Sequence, residues 1–234
     1  KINNNLIELK ELIQASKNIG VVSHINPDGD NLGSLLGLGL SLKSLDKEVY
    51  MIKADFIPND YIFLNGIEEL KAFDGKTLDL LFALDCSDKN RLGLNQNLID
   101  LSTKVVNIDH HISNTIFGDL NFVDNSVSST GELIYDIIKG LTLPMNKDIA
   151  ENLYVAISSD TGRFSYENVS SKTHEVIADL YDYSIDAYKL NKKLYQSRSL
   201  DRTKLFIEAI SNVNFYNNSS IAIVKVTQKM LRKT

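Results

Sequence analysis

Short apolar segments alternate with longer helical stretches through most of this chain. Segments with the composition of buried β-strands occur at residues 19–22, 48–52, 78–84 and 104–108. Helices are predicted at residues 6–18, 32–45, 128–139, 146–159, 173–183 and 200–213. Because parallel strands are usually joined through helices of this length, the alternation predicts an α/β fold with a mainly parallel sheet flanked by helices.

Composition limits the class of protein further. Of the 234 residues, 43% are hydrophobic and 24% are charged, a balance that is typical of globular chains and excludes a disordered one. The longest apolar run, residues 33–42, has about half the length that a membrane span needs. No basic and apolar leader opens the chain, so we expect a cytoplasmic protein without a membrane partner. The single cysteine, Cys86, excludes an internal disulfide and is predicted to be a small buried residue.

Asp and His residues are concentrated where predicted strands or a helix end. The four segments are His24-Ile25-Asn26-Pro27-Asp28-Gly29-Asp30, Asp85-Cys86-Ser87-Asp88, Asp109-His110-His111 and Asp160-Thr161-Gly162. In an open α/β sheet, ligands bind in the crevice beyond the carboxyl ends of the strands. We therefore expect the four segments to converge on one place.

The convergence of several carboxylates has an electrostatic consequence. Like charges that are held together raise one another's pKa and destabilise the fold, and bound cations remove this repulsion. A ligand set of Asp oxygen and imidazole nitrogen, without thiolate, suits Mn²⁺ or Mg²⁺. Seven potential ligands in these segments are too many for one ordinary ion, and they favour a pair of ions of the kind used in phosphoryl hydrolysis.

Taken one at a time, the segments have simpler interpretations. Residues 26–29 have the composition of a turn, and Asp85 would be a suitable cap for the segment that follows it. Paired histidines are often surface residues, and residues 160–162 have the composition of a helix end. The metal-site interpretation depends on the combination, since three of the four histidines in the chain fall within these segments.

The motifs together resemble the DHH phosphoesterase family, named for the sequence that appears here as Asp109-His110-His111. The resemblance extends from about residue 6 to the chain end and includes Tyr195-Gln196-Ser197-Arg198-Ser199. Within the family, the chain is most similar to the bacterial branch of bifunctional oligoribonucleases and pAp phosphatases. Enzymes of that branch degrade short oligoribonucleotides and remove the 3′-phosphate of 3′-phosphoadenosine 5′-phosphate (pAp).

The resemblance also implies which residues hold metal. His24, Asp28 and Asp85 would bind a first ion. A second ion would be bound by Asp30, Asp85, His110 and Asp160. Asp85 would therefore bridge two divalent cations, with Mn²⁺ expected first and Mg²⁺ or Co²⁺ as alternatives.

Catalytic and substrate-binding roles follow from the same resemblance. Asp109 would orient the neighbouring imidazole. His111 would face the scissile phosphate, and a supporting role behind the metal ligands is the alternative. Arg163 and Arg91 are weaker candidates for substrate phosphate contacts, because a surface salt bridge explains either arginine equally well.

The C-terminal part of the chain differs in charge. Residues 188–234 contain ten Lys or Arg and two acidic residues, a net charge of +8, whereas residues 1–187 carry −13. A basic part of this kind would attract a phosphorylated substrate, although two solvated surfaces are an equally good explanation. We predict a catalytic domain at 1–187, a helical connector at 188–216 and the first strand of a truncated C-terminal α/β domain at 217–234.

That last strand, predicted at residues 221–226, would have no partner of its own. Members of the family continue into a substrate-binding domain with a Gly-rich motif and a histidine, which this sequence lacks. A start at Lys1 rather than Met suggests that a few earlier residues are missing as well.

The resemblance therefore implies a metal-dependent phosphohydrolase acting on short oligoribonucleotides and nucleoside bisphosphates. A phosphodiesterase for cyclic dinucleotides or their linear product (c-di-AMP or pApA) and a manganese-dependent inorganic pyrophosphatase are alternatives. A nucleotide-binding protein without catalytic activity is an alternative from a different class. Formation of a homodimer is left open.

Overall fold

A computed structural model describes residues 2–75 and 77–233 of the chain. The strands of its central sheet are β1 (Asn18–Ser23), β2 (Glu48–Ile52), β3 (Leu78–Leu84), β4 (Ser102–Asp109) and β5 (Leu120–Val123). They lie in the order β2-β1-β3-β4-β5, and every neighbouring pair is parallel. The predicted parallel sheet is confirmed, and β5 is a strand that the sequence did not predict.

Helices flank this sheet, as predicted. The helices before residue 200 are α1 (Ile2–Ala15), α2 (Gly29–Lys43), α3 (Thr130–Gly140), α4 (Lys147–Asp160), α5 (Ser171–Tyr181) and α6 (Ala187–Gln196). A 3₁₀ stretch, Lys89–Leu98, follows β3. In the part of the chain that the structure describes, no helix combines the length and hydropathy of a bilayer span.

The central strand β3 is covered on both faces. Leu81 packs in a cluster with Leu92 and Leu98 of the 3₁₀ stretch, while α2 packs against the sheet as well. A strand that is buried on both faces is apolar at successive positions rather than at alternate ones. This explains the apolar run at residues 80–84 of β3, which ends where Asp85 begins the loop at the carboxyl edge of the sheet.

The close contact between α2 and α4 depends on a glycine. A Cβ atom at Gly33 would lie 2.5 Å from the carbonyl oxygen of Asn152 and 2.9 Å from Cβ of Ala156. Asp30 lies in the first turn of α2, and Asp160 is the last residue of α4. The close contact between the two helices therefore helps to fix the distance between these two predicted metal ligands.

Replacing Gly33 with Ala should therefore destabilise the protein by about 1–3 kcal/mol, because the added methyl group forces the two helices apart. Chemical denaturation monitored by circular dichroism would measure the change. The matched control is Gly140→Ala in α3, where the new Cβ meets only the flexible end of Leu6, at 3.1 Å. Equal stability of the two variants would contradict this account of the helix contact.

The chain divides into two compact units, the first ending at Leu190 and the second beginning at Asn191. The second unit contains α7 (Leu200–Ser211), β6 (Asn214–Tyr216), β7 (Ile221–Ile223) and α8 (Gln228–Lys233). The three-part domain division proposed from the sequence stays a prediction.

The expectation that the last strand has no partner is wrong. β7 pairs antiparallel with β6, and the strand ends at Ile223 rather than at residue 226. The connecting residues Asn217, Asn218 and Ser219 have positive φ angles of 51°, 53° and 66°. Asn tolerates this left-handed conformation better than most residues, so the polar segment closes a hairpin.

Candidate metal centre

The four Asp/His segments meet at the carboxyl edge of the sheet. β1, β3 and β4 are neighbours in the sheet, and His24, Asp85 and His110 follow directly after their last residues. α4 ends at Asp160 on the same side of the sheet. A carboxylate oxygen of Asp160 lies close to ligand atoms of Asp30 and His110. The convergence expected from the sequence is therefore present in the structure.

Among the residues that the structure describes, three groups of side chains offer ligand atoms within 4.8 Å of one another. The first group is the one predicted for the first ion, namely His24, Asp28 and Asp85. The second contains Asp30, His110 and Asp160, and the third contains Asp85, His110 and His111. All six predicted metal ligands are thus brought together, and Asp85 belongs to two of the groups.

His24 is buried and is held in a defined orientation. Its Nδ1 lies 2.6 Å from the carbonyl oxygen of Ile25, which can only accept a hydrogen bond, so Nδ1 carries the proton. The other nitrogen, Nε2, faces Oδ2 of Asp85 at 3.1 Å. Burial lowers the pKa of His24, but the hydrogen bond to Asp85 and its charge outweigh burial and raise the pKa overall. The neutral ring offers Nε2 as a ligand, which is the tautomer that metal binding requires.

Asp30 lies against the N-terminus of α3. Its Oδ2 accepts a hydrogen bond from the backbone N–H of Thr130 at 2.7 Å, and its Oδ1 accepts one from the N–H of Gly131 at 2.8 Å. Burial and the charges of Asp85 and Asp160 nevertheless raise the pKa of Asp30 well above its usual value. The site therefore concentrates more negative charge than its own hydrogen bonds compensate, a condition that a cation would relieve.

Asp85 occupies the centre of the site in a left-handed backbone conformation, with φ at 56°. Its Oδ1 accepts a hydrogen bond from the hydroxyl group of Thr130 at 2.9 Å. Burial alone would raise the pKa of Asp85, but the hydrogen bond and charge of His24, with the charges of the other two histidines, lower it below its usual value. Asp85 therefore ionises more readily than Asp30 and Asp160, whose pKa values are raised by burial and by neighbouring carboxylates.

His110 stands among three carboxylates without a hydrogen bond to any of them. Its Nε2 lies 3.4 Å from Asp160, 3.7 Å from Asp30 and 3.8 Å from Asp85. Two ligand atoms that are each about 2.1 Å from one ion lie roughly 3–4 Å apart. The distances and the oxygen and nitrogen donor set thus fit a divalent cation.

Asp109 orients His111 rather than His110. It is fully buried and accepts hydrogen bonds from Nδ1 of His111 at 2.7 Å and from the side chain of Asn114 at 2.6 Å. The hydrogen bond to Asp109 is the main reason that the pKa of His111 is raised, with burial opposing it and the charge of Asp85 adding to it. Because Nδ1 donates to Asp109, the partly exposed His111 ring has Nε2 left for another partner.

The two arginine candidates differ in their relation to the site. The backbone oxygen of Arg91 accepts a hydrogen bond from the N–H of Ile25 at 2.8 Å. The positive charge of Arg91 also lowers the pKa of both His24 and His111. Arg163 is exposed on the turn after Asp160, with φ at 60°. Contact of either residue with a substrate phosphate stays a prediction.

Sequence reasoning missed Thr130 and Asn114, which hold the carboxylates in place. A partial signal exists, since Ser129 followed by Glu132 three residues later has the pattern of a helix cap, and the Ser129 side chain does accept a hydrogen bond from the N–H of Glu132 at 3.1 Å. Thr130, the residue after Ser129, contacts both Asp30 and Asp85, and no local sequence pattern indicates these contacts. Cys86 is buried as predicted, and burial raises the pKa of its thiol well above the usual value.

Comparisons with known proteins agree with the motif analysis. Residues 18–157 match the model of the DHH family, N-terminal domain. The bifunctional oligoribonuclease and PAP phosphatase NrnA of Thermus thermophilus is 33% identical over 204 residues, which cover 85% of this chain and 60% of that protein. The protein of the same name from Bacillus subtilis is 28% identical over 219 residues, covering 92% and 69%.

A solved structure is also similar. The crystal structure of an exopolyphosphatase-related protein from Bacteroides fragilis matches with a TM-score of 0.91 at 25% identity, covering 98% of this chain and 71% of that one. The chain thus spans 60% of the Thermus relative and 69% of the Bacillus relative.

Proposed function

Because this chain belongs to the DHH family, we propose that it is a metal-dependent phosphohydrolase of short oligoribonucleotides and of the 3′-phosphate of pAp. The observation that carries the proposal is the convergence of carboxylates and imidazoles from four remote segments around the buried Asp85. The names of the relatives from Thermus and Bacillus support the substrate class.

The two oxygens of Asp85 support a site for two ions. Oδ2 faces His24 at 3.1 Å, whereas Oδ1 lies 3.8 Å from Nε2 of His110. In the proposal, His24 and Asp28 join Asp85 around one ion. Asp30, His110 and Asp160 join it around the other. Two divalent ions held by these residues, with Mn²⁺ proposed first, would bind the phosphate oxygens and activate a water molecule.

The remaining residues position the reacting groups. Asp109 holds Nδ1 of His111, so that Nε2 is the nitrogen that can face the scissile phosphate. The hydrogen bond to Asp109 raises the pKa of His111. In the proposal, this ring donates a proton to the oxygen that leaves phosphorus. Arg91, whose charge already acts on His24 and His111, is the better placed of the two arginines to bind a phosphate oxygen.

Apolar side chains close to the site in sequence favour a substrate that carries bases. Leu94 is 96% exposed, although its neighbour Gly93 packs on Ile25 next to His24. Ile112, which directly follows His111, is 87% exposed. In the proposal, these two side chains contact the flat apolar faces of nucleobases. Inorganic pyrophosphate has no such face.

A substrate panel tests the proposal. The purified protein with Mn²⁺ should hydrolyse pAp and a ribodinucleotide at least about tenfold faster than pyrophosphate or a cyclic dinucleotide. Release of phosphate and of mononucleotide would be measured by chromatography. Faster hydrolysis of pyrophosphate or of the cyclic dinucleotide would favour those alternatives instead. Bound Mn²⁺ without turnover of any substrate would overturn the hydrolase proposal.

A further inference from the structure

Thr130, the first residue of α3, contacts both halves of the candidate metal centre. Its backbone N–H donates to Oδ2 of Asp30 at 2.7 Å, and its side-chain hydroxyl donates to Oδ1 of Asp85 at 2.9 Å. The residue is fully buried, so solvent does not compete for either hydrogen bond. One residue thus holds two carboxylates that approach from different secondary-structure elements.

The hydroxyl group has a specific effect on Asp85. The backbone of Asp85 is already fixed, since its N–H donates to the carbonyl oxygen of Ile108 at 2.9 Å. The side-chain carboxylate still has one soft torsion, the rotation about its Cβ–Cγ bond. The hydrogen bond from Thr130 restricts this rotation so that Oδ2 stays 3.1 Å from Nε2 of His24 while Oδ1 stays 3.8 Å from Nε2 of His110.

We propose that Thr130 is a positioning residue whose hydroxyl group turns Asp85 into the bridging orientation and thereby sets the affinity for the second metal ion. The inference rests on the proposed two-ion site and extends it to a residue outside the ligand set. Without the hydroxyl group, Asp85 is free to rotate and to place both oxygens on one ion. The first ion would then bind nearly as before, and the second would lose a ligand.

Two substitutions separate the hydroxyl group from the rest of the side chain. Thr130→Val keeps the shape and the backbone N–H to Asp30 but removes the O–H donor. Thr130→Ser keeps the donor and removes only the methyl group. A titration with Mn²⁺ would be monitored by electron paramagnetic resonance, which distinguishes free Mn²⁺, isolated bound ions and spin-coupled pairs. This measurement does not depend on enzymatic activity.

We expect Thr130→Val to weaken binding of the second Mn²⁺ by about 10–100-fold and to lose the spin-coupled signal, as is usual when a partner of a metal ligand is removed. The affinity of Thr130→Ser for the second Mn²⁺ should remain within about threefold of the wild type. If the Thr methyl group had a purely structural role, this variant would be weakened as well. If the Val variant does not fold, Thr130→Ala takes its place in the comparison with Ser.

The outcomes are distinct. Wild-type affinity for both ions in the variant without a hydroxyl group would overturn the inference and leave the proposed function intact. Equal weakening in the Val and Ser variants would overturn it too, because the methyl group would then be responsible. Wild-type protein that binds no Mn²⁺ would overturn the proposed function itself, and the inference with it.

Discussion

Asp85→Asn should lower the hydrolysis rate at least about 10³-fold without unfolding the protein. The amide cannot bridge two cations, but it suits the local structure in every other respect. Its oxygen still accepts the hydrogen bond from Thr130, and its NH₂ group can donate to Nε2 of His24. Asn also tolerates the positive φ angle at this position, which Ala would not. Steady-state kinetics with pAp and far-ultraviolet circular dichroism would measure the two effects.

The matched control is Asp88→Asn, three residues further along the same loop. Asp88 accepts a hydrogen bond from the N–H of Asn90 at 2.8 Å and belongs to none of the metal-binding groups. Since an Asn oxygen can accept that hydrogen bond too, this variant should keep activity within about twofold of the wild type. A folded Asp85→Asn protein with more than about a tenth of wild-type activity would contradict the bridging role.

In the metal-free protein, stability should fall as the pH rises from about 5.5 to 8. The folded state raises the pKa of Asp30 and Asp160, so it keeps protons that the unfolded chain loses above its ordinary pKa near 4. Stability gained in this way is present at low pH and is lost as the pH rises through the folded pKa. His24 and His111 also have raised pKa values and act in the same direction above about pH 6.5.

Asp85 acts in the opposite direction, because its pKa is lowered in the folded state. Its contribution is lost only as the pH falls below about 4, outside the window of the experiment. Mn²⁺ should reverse the trend, since metal binding needs deprotonated ligands. At a concentration of about 100 times Kd, the ion adds roughly 2.7 kcal/mol, or roughly 5–10 °C in Tm, and this increment should grow with pH.

Thermal unfolding in EDTA and in Mn²⁺ at several pH values tests this prediction. Asp160→Asn is the informative variant, because it removes one carboxylate with a raised pKa and should flatten the decline measured in EDTA. A metal-free Tm that stays constant or rises between about pH 5.5 and 8 would show that carboxylate repulsion does not limit stability.

The sequence predicted the position of the site better than its internal geometry. Strand ends were visible as apolar runs followed by Asp or His, and parallel topology then required them to share one edge. That argument placed His24, Asp85 and His110 together without any knowledge of the side-chain contacts. It depends only on the order of the elements, which hydrophobic periodicity reveals.

The contacts within the site were beyond such reasoning. The partner of Asp109 depends on side-chain torsions, and either of the two adjacent imidazoles satisfies the pattern of the motif. Thr130 acts from a helix whose N-terminus approaches Asp30 across the fold, which the spacing of residues does not encode. β7 lies within the strand predicted at residues 221–226, whereas its partner β6 was missed because it contains only three residues.

The left-handed backbone at Asp85 restricts how this centre can change over evolutionary time. Most side chains with a Cβ atom incur roughly 1–2 kcal/mol in that conformation, and only Gly, Asn and Asp adopt it readily. Of these three, only Asp carries a negative charge. Replacement of Asp85 by Glu, the simplest way to retain charge elsewhere in a protein, therefore carries a backbone penalty here. The backbone conformation thus disfavours substitution of the central ligand.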